Sequence, residues 1–171
     1  MLKHTLVPLD GSALAEEALK YAVEITDPQG EMTLVSAVEL PEIMPGGFYP
    51  IVDPALVGAA YSEHKEKVYS AEEVVTQVKH YLEHVTEQLG ERKVHIHVEI
   101  SEPAALILKL AEEQKIDAIV ISTHGRSGLS RWLFGSVTQR VLNHANVPVF
   151  VVRSTAPEAK PEKRDAEVRY G

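Results

Sequence analysis

Short apolar runs alternate along this chain with longer stretches in which apolar residues recur every three to four positions, a pattern that predicts strands and helices in turn. Thr5-Leu6-Val7-Pro8-Leu9 ends at Asp10-Gly11-Ser12 and has the composition of a strand buried on both faces. Pro8 falls near the end of that run, where a missing amide is tolerated. Ser12 is placed to cap a helix, with Glu16 and Glu17 close to its positive end. Leu14, Ala15, Ala18, Leu19, Ala22 and Ile25 keep helical spacing, and Asp27-Pro28-Gln29-Gly30 predicts the stop. Met32 to Val38 predicts a second strand.

The segment from about Glu39 to Tyr69 holds Pro41, Pro45, Gly46, Gly47, Pro50 and Pro54 and is too long for an ordinary connection. Two readings stay open for it: a lid, with Phe48 and Tyr49 as its aromatic contacts, or a mobile insertion. Ala55 to Ala60 is a candidate for a short helical turn inside it. From Ser70, the residues Ala71, Val74, Val75, Val78, Tyr81, Leu82, Val85 and Leu89 draw one continuous stripe, which predicts a long helix ended by Gly90. Val94, Ile96, Val98 and Ile100 alternate with His95, His97 and Glu99, the pattern of a strand with one buried face near a sheet edge. Ser101 is the expected cap of a helix that carries Glu102 and Pro103 in its first turn and Ala104, Ile107, Leu108 and Ala111 on its apolar side. Ala118 to Ile121 predicts a fully buried strand, Gly135 to His144 a helix, and Val149 to Val152 a last strand.

This order, strand and helix in alternation, implies an α/β fold: a doubly wound, parallel five-stranded sheet between two helical layers. Residues 1–153 form the expected domain, with 39–69 as its long insertion. Residues 154–171 are rich in proline, alanine and charge and predict a disordered tail. Ligands in such sheets bind beyond the carboxyl ends of the strands, where the strand order reverses. The candidate loops are therefore Leu9 to Ser12 and Ser122 to Ser136.

Composition narrows the chemistry. The chain has 171 residues and a formal net charge of −8, which disfavours a nucleic-acid partner. It has no cysteine, which excludes disulfides, thiolate metal sites and cysteine nucleophiles. No apolar run approaches the roughly 20 residues of a membrane span, and the start of the chain lacks a signal-peptide pattern. The expectation is a cytoplasmic protein with no membrane partner.

Ser122-Thr123-His124-Gly125-Arg126-Ser127-Gly128 carries the strongest local signal. It leaves a buried strand and leads to Gly135-Ser136 at a helix start, where free amides and the helix dipole favour phosphate oxygens. The alternative is that Gly125 and Gly128 only make turns and Ser136 only caps a helix. Arg126 and Arg131 are candidates for phosphate pairing or for simple solvation. Neither GxxxxGK[ST] nor GxGxxG is present, which argues against a P-loop nucleotide hydrolase and an ordinary dehydrogenase. His124 has no nucleophile or carboxylate at motif spacing, so no catalytic residue is assigned. His80 and His84 are spaced for a shared metal, but Lys79 and Glu83 beside them favour a solvated face. His95 and His97 read as an exposed polar face.

The stretch ISTHGRSGLSRWLFGSVTQRVLNHANVPVFVV resembles the C-terminal half of a universal stress protein domain, and VPLDGS with its alanine-rich helix is similar to that family's opening. The resemblance covers about Lys3 to Arg153. It implies a flavodoxin-like, Rossmann-like sheet, a homodimer paired through the last strand (Val149 to Val152), and ATP or AMP as ligand, with Mg or Mn as the metal where phosphates are bridged. The family's motif G-x2-G-x9-G-[ST] maps onto Gly125, Gly135 and Ser136, with Ser122 in place of its first glycine. The resemblance further implies that Asp10 contacts the ribose or a phosphate-bound metal, that Pro8 and Leu9 line the adenine pocket, and that Val38 offers backbone groups to the adenine edge. Val137 and Thr138 would continue the phosphate-facing turn, and Ile121, Arg126 and Gly128 complete the expected nucleotide-binding set. A helix-capping role beside Ser12 remains the other reading of Asp10. Three functions follow: a nucleotide-binding stress or signalling module, a slow ATP hydrolase on the same fold, and a dimeric interaction protein that binds no nucleotide.

Overall fold

The structure is a computed structural model that describes residues 1–39, 49–50, 68–123 and 135–153. Five strands, β1 (Leu2–Pro8), β2 (Thr26–Val38), β5 (Lys93–Ile100), β6 (Ala118–Ser122) and β7 (Val149–Val152), form one sheet in the order β5-β2-β1-β6-β7. Every neighbouring pair is parallel. The chain therefore winds outward from β1 through β2 to β5, then returns to β6 beside β1 and ends at β7. The reversal falls between β1 and β6.

Among the described residues, four helices cover the two faces. The α1 (Ala13–Ile25) and α2 (Ala71–Glu87) helices pack on one side, where Ala15, Ala18, Leu19, Ala22, Leu82 and Val85 meet Val7, Met32, Leu34 and Val120. On the other side lie α3 (Pro103–Glu113) and α4 (Ser136–His144), where Leu106, Ile107, Leu110 and Val141 meet Leu6, Val35, Ile119 and Ile121. Each fully buried Leu or Ile contributes about 1.5–3 kcal/mol relative to exposure. Pieces of the long segment also pair: β3 (Tyr49–Pro50) runs antiparallel to β4 (Val68–Tyr69). Phe48, the Ala55–Ala60 turn and residues 154–171 lie outside the described residues.

Three local expectations are corrected. The second strand begins at Thr26, directly after α1, rather than at Met32. Leu2 pairs with Thr26 but His4 pairs with Glu31, so Asp27 to Gly30 bulge out within the strand instead of ending an element. Glycine is required at the end of that bulge, because a Cβ on Gly30 would lie 2.7 Å from the Lys3 carbonyl oxygen. Second, Glu102 rather than Ser101 caps α3. Its carboxylate accepts the Ala104 and Ala105 amides at 3.1 and 2.8 Å, and Pro103 at the first helical position has no amide to satisfy. Third, α3 buries Leu106 and Leu110 beside the expected Ala104, Ile107 and Ala111, while Leu108 is only half-buried. The α2 helix starts as the pattern predicts, with a reciprocal capping box between Ser70 and Glu73.

Candidate functional site

The carboxyl ends of β2, β1 and β6 lie side by side, which brings Val38, Pro8-Leu9-Asp10 and Ile121-Ser122 to one edge of the sheet. Pro8 closes β1, and the Leu9 amide donates to the Val35 carbonyl at 2.9 Å, so the chain stays tethered to β2 as it leaves the sheet. The Leu9 side chain is buried in the core beneath the turn.

Asp10 and Ser12 form a compact unit above it. Asp10 Oδ1 accepts from the Ser12 amide at 3.0 Å and from the Ser12 hydroxyl at 2.6 Å. The Ser12 Oγ in turn accepts the Ala15 amide at 3.2 Å and caps α1. The capping and ligand readings of Asp10 are thus compatible: one carboxylate oxygen orients the cap while the residue stands at the sheet edge. Gly11 between them has φ +82°, a left-handed conformation suited to glycine. A side chain of α2 reaches the first turn of α1 beside it: the Tyr81 hydroxyl donates to Glu16 Oε1 at 3.0 Å. Burial, followed by the negative charge of Glu16, holds the phenol well above its usual range, so it is neutral.

The β6 side is built from backbone. All five residues of β6 are buried, Ile121 and Ser122 among them. The Thr123 amide donates to the Val152 carbonyl at 2.9 Å, and the Gly135 amide donates to the Thr123 carbonyl at 2.7 Å. That second bond closes the base of the loop between them. His124, Gly125, Arg126, Gly128, Arg131, Trp132 and Phe134 of this loop lie outside the described residues. At its far end α4 begins with Gly135 as its N-cap, and no side chain caps it among the described residues. The first-turn amides of Ser136, Val137 and Thr138 have no carbonyl of the preceding turn to bond, which is the electropositive arrangement that attracts anions. Thr138 differs from its neighbours. Its hydroxyl donates inward to the Ser122 carbonyl at 2.7 Å and is buried, so it fastens α4 to the end of β6 rather than facing outward. Val38 is buried at the end of β2, and its carbonyl accepts the Ser101 amide at 3.2 Å.

The described histidines lie elsewhere. On edge strand β5, His95 Nε2 is 3.0 Å from Glu31 Oε2 and His97 Nε2 is 3.2 Å from Glu99 Oε2. His84 pairs with Glu87 on the exposed face of α2. Among the described residues, no three His, Cys, Asp or Glu side chains converge on a metal position. No helix there is long and apolar enough to cross a membrane.

Sequence reasoning missed the hydrogen bond by which Tyr81 of α2 reaches the first turn of α1. Tyr81 reads as one more apolar position of the α2 stripe. The signal available was its hydroxyl, since a tyrosine facing a core requires a partner.

Comparison with known proteins places this geometry. The sequence profile described as the Universal stress protein family matches residues 1–153. The universal stress protein MJ0531 of Methanocaldococcus jannaschii is 32% identical over 164 residues, covering 92% of this chain and 86% of its own length. The solved structure of hypothetical protein MJ0577, from the same organism, superposes with a TM-score of 0.68 at 25% identity, covering 91% of this chain and 98% of that one. A universal stress protein from Archaeoglobus fulgidus, solved in complex with dAMP, superposes with a TM-score of 0.52 at 20% identity, covering 88% of this chain and 97% of its own.

Proposed function

The chain belongs to the universal stress protein family, and we propose that it is an adenine-nucleotide-binding stress or signalling module whose ligand, ATP or AMP, lies across the carboxyl ends of β1 and β6. The observation that carries this reading is the α4 N-terminus, which has a glycine as its cap and no capping side chain among the described residues and is fastened to the end of β6, the strand next to β1, which leads to Asp10. Amides there suit a phosphate, and Asp10 suits a ribose hydroxyl or a cation on the phosphates. The dAMP complex of the A. fulgidus relative supports the ligand class. Mg²⁺ or Mn²⁺ bridging the phosphates would be held by phosphate oxygens and Asp10. Gly125, Arg126 and Gly128 complete the phosphate loop on this reading, and Ser122, buried at the end of β6, takes the position of the family's first motif glycine.

Titration calorimetry with ATP-Mg and with AMP tests this, and Gly135→Val sharpens it. Gly135 has φ −56° and ψ 153°, a region open to any residue, so the fold tolerates the change. Capping loses about 1 kcal/mol, while the new side chain fills the space of the phosphate. Binding by the native chain with none by the variant is the expected result. No heat from the native chain at millimolar nucleotide refutes the reading.

Assembly through β7 belongs to the same proposal. β7 is a sheet edge, and Phe150 on it and Leu142 on α4 are 44% and 37% exposed, large apolar side chains open to a second copy. Light scattering should give about twice the monomer mass of 18.9 kDa.

A further inference from the structure

The outer edge of β5 meets no other strand among the described residues, and its sequence is nearly its own mirror image about Ile96. Outward from Ile96, His95 balances His97, Val94 balances Val98, and Lys93 balances Glu99 with the opposite charge. Backbone direction gives this pattern a use. β5 pairs in parallel with β2, and the Ser101 amide just beyond it bonds the Val38 carbonyl at 3.2 Å. Backbone groups alternate in direction along a strand, so Lys93, His95, His97 and Glu99 turn theirs toward β2, while Val94, Ile96 and Val98 turn theirs outward. Side chains alternate as well. Val94, Ile96 and Val98 pack against the core under α1 and α2, and the four polar residues lie on the α3 side, where His97 is in register with Val35. Glu31 bonds Lys93, and Lys109 bonds Glu99 at 3.2 Å. The charges of these two pairs cancel, so the edge is formally neutral in a chain of net charge −8.

We propose that β5 is a self-pairing edge: two copies of the chain join here antiparallel, about a two-fold axis at Ile96, and run their sheets into one. The outward groups of Val94, Ile96 and Val98 must face their counterparts to exchange hydrogen bonds, which limits the register to steps of two residues. With Ile96 opposite Ile96 of the second copy, Lys93 meets Glu99 of the second copy and His95 meets its His97. These are the closer, non-hydrogen-bonded positions, where cross-strand side chains interact most. A step one way sets Glu99 against Glu91, and a step the other way sets Lys93 against Ser101, so either loses both ion pairs. Charges on an edge strand ordinarily deter pairing. Here they are opposite in sign at mirrored positions, which favours this one register over its neighbours. The proposal does not depend on the nucleotide reading, nor on β7, which is the opposite edge of the sheet.

Sedimentation equilibrium over a range of concentrations tests this. Lys93→Glu and Glu99→Lys each set like charges against one another at both ends of the pairing, and each should weaken self-association about tenfold. An equimolar mixture of the two variants places opposite charges across the contact again and should recover the native association. Mixing does not repair the ion pairs that each variant loses within its own fold, so recovery reads the contact between copies. Thermal melting checks the fold of each variant. A second measurement is independent of charge. The chain has no cysteine, so Ile96→Cys puts a single thiol on the axis. Hydrogen-bonded cross-strand residues stand about 5.5 Å apart at Cα, within disulfide reach. Mild oxidation of Ile96→Cys should therefore give a disulfide-linked dimer, whereas Val94→Cys, which faces Val98, should stay monomeric on a denaturing gel. Native self-association in both charge variants, a mixture no stronger than its components, or no disulfide dimer from Ile96→Cys overturns the proposal. Association through β7 alone gives all three of these results and leaves the nucleotide reading intact.

Discussion

Thr138→Val tests how the phosphate-facing helix is seated. The substitution is nearly isosteric, and the position is 3% exposed, so shape and burial are preserved. What changes is the 2.7 Å hydrogen bond from the Thr138 hydroxyl to the carbonyl of Ser122, itself 6% exposed. Removing a donor from a buried carbonyl costs about 1–3 kcal/mol, more than the net worth of a solvent-exchangeable bond. We therefore expect about 2 kcal/mol of destabilisation in urea unfolding, with an unchanged denaturant slope. For a domain of this size that corresponds to a melting temperature lower by roughly 4–8 °C. The consequence for function follows from location. Thr138 is the third residue of α4, and its bond sets the helix start against the end of β6. ATP affinity should fall with stability, whereas Ser122→Ala, which keeps the accepting carbonyl, should leave the Thr138 bond in place. A variant that melts within one degree of the native chain would show that the bond contributes nothing to the seat of α4.

Two other outcomes follow from the fold. Gly30→Ala should destabilise the domain by about 1–3 kcal/mol in urea unfolding, because the new methyl would meet the Lys3 carbonyl at 2.7 Å and the Asp27 carbonyl at 3.0 Å, both backbone atoms. Stability should also fall on acidification below about pH 6.5, the ordinary histidine range. Burial lowers the His4 pKa, so between its folded and unfolded values the unfolded chain binds more protons, and folding weakens as the pH drops through that window. His4→Gln should flatten this slope in urea titrations across pH 7 to 5, and an unaltered slope would assign it to other groups.

The element order is legible in the sequence because each helix carries its own apolar stripe and each central strand is apolar on both faces. Asp10, Ser12, Gly135 and Ser136 stand out for the same reason: they are the polar or flexible residues at the ends of apolar runs. What escapes is everything decided by a distant partner. Asp27-Pro28-Gln29-Gly30 reads locally as a turn, and only the pairing of Thr26 with Leu2 makes it a bulge inside a strand. Ser101 reads as a cap because serine usually is one, but the Glu102 carboxylate reaches two amides that Pro103 leaves unopposed, and it also meets Arg140 of α4 at 3.0 Å. The pairing of Tyr49–Pro50 with Val68–Tyr69 spans most of the long segment and has no periodic signal. Tyr81 and Thr138 escape for a shared reason. Periodicity assigns a residue to a face, but it does not say where a single hydroxyl on that face finds its partner.

The two halves of the proposed site are built from different materials, and this gives the site a direction. The β1 turn is held by side chains and presents a carboxylate, which repels anions and accepts hydrogen bonds from hydroxyls. The α4 start is fastened to the end of β6 by the Thr138 hydroxyl and presents backbone amides, which attract anions and have nothing to offer a hydroxyl proton. A ligand that satisfies both ends must therefore carry a phosphate toward α4 and a hydroxyl or a metal-bound group toward Asp10. Inorganic phosphate satisfies one end and meets the Asp10 charge at the other. Adenosine satisfies the Asp10 end and leaves the α4 amides to water. A nucleotide meets both requirements at once, and a cation at Asp10 would add to its affinity only when the phosphate chain is long enough to reach from one half to the other.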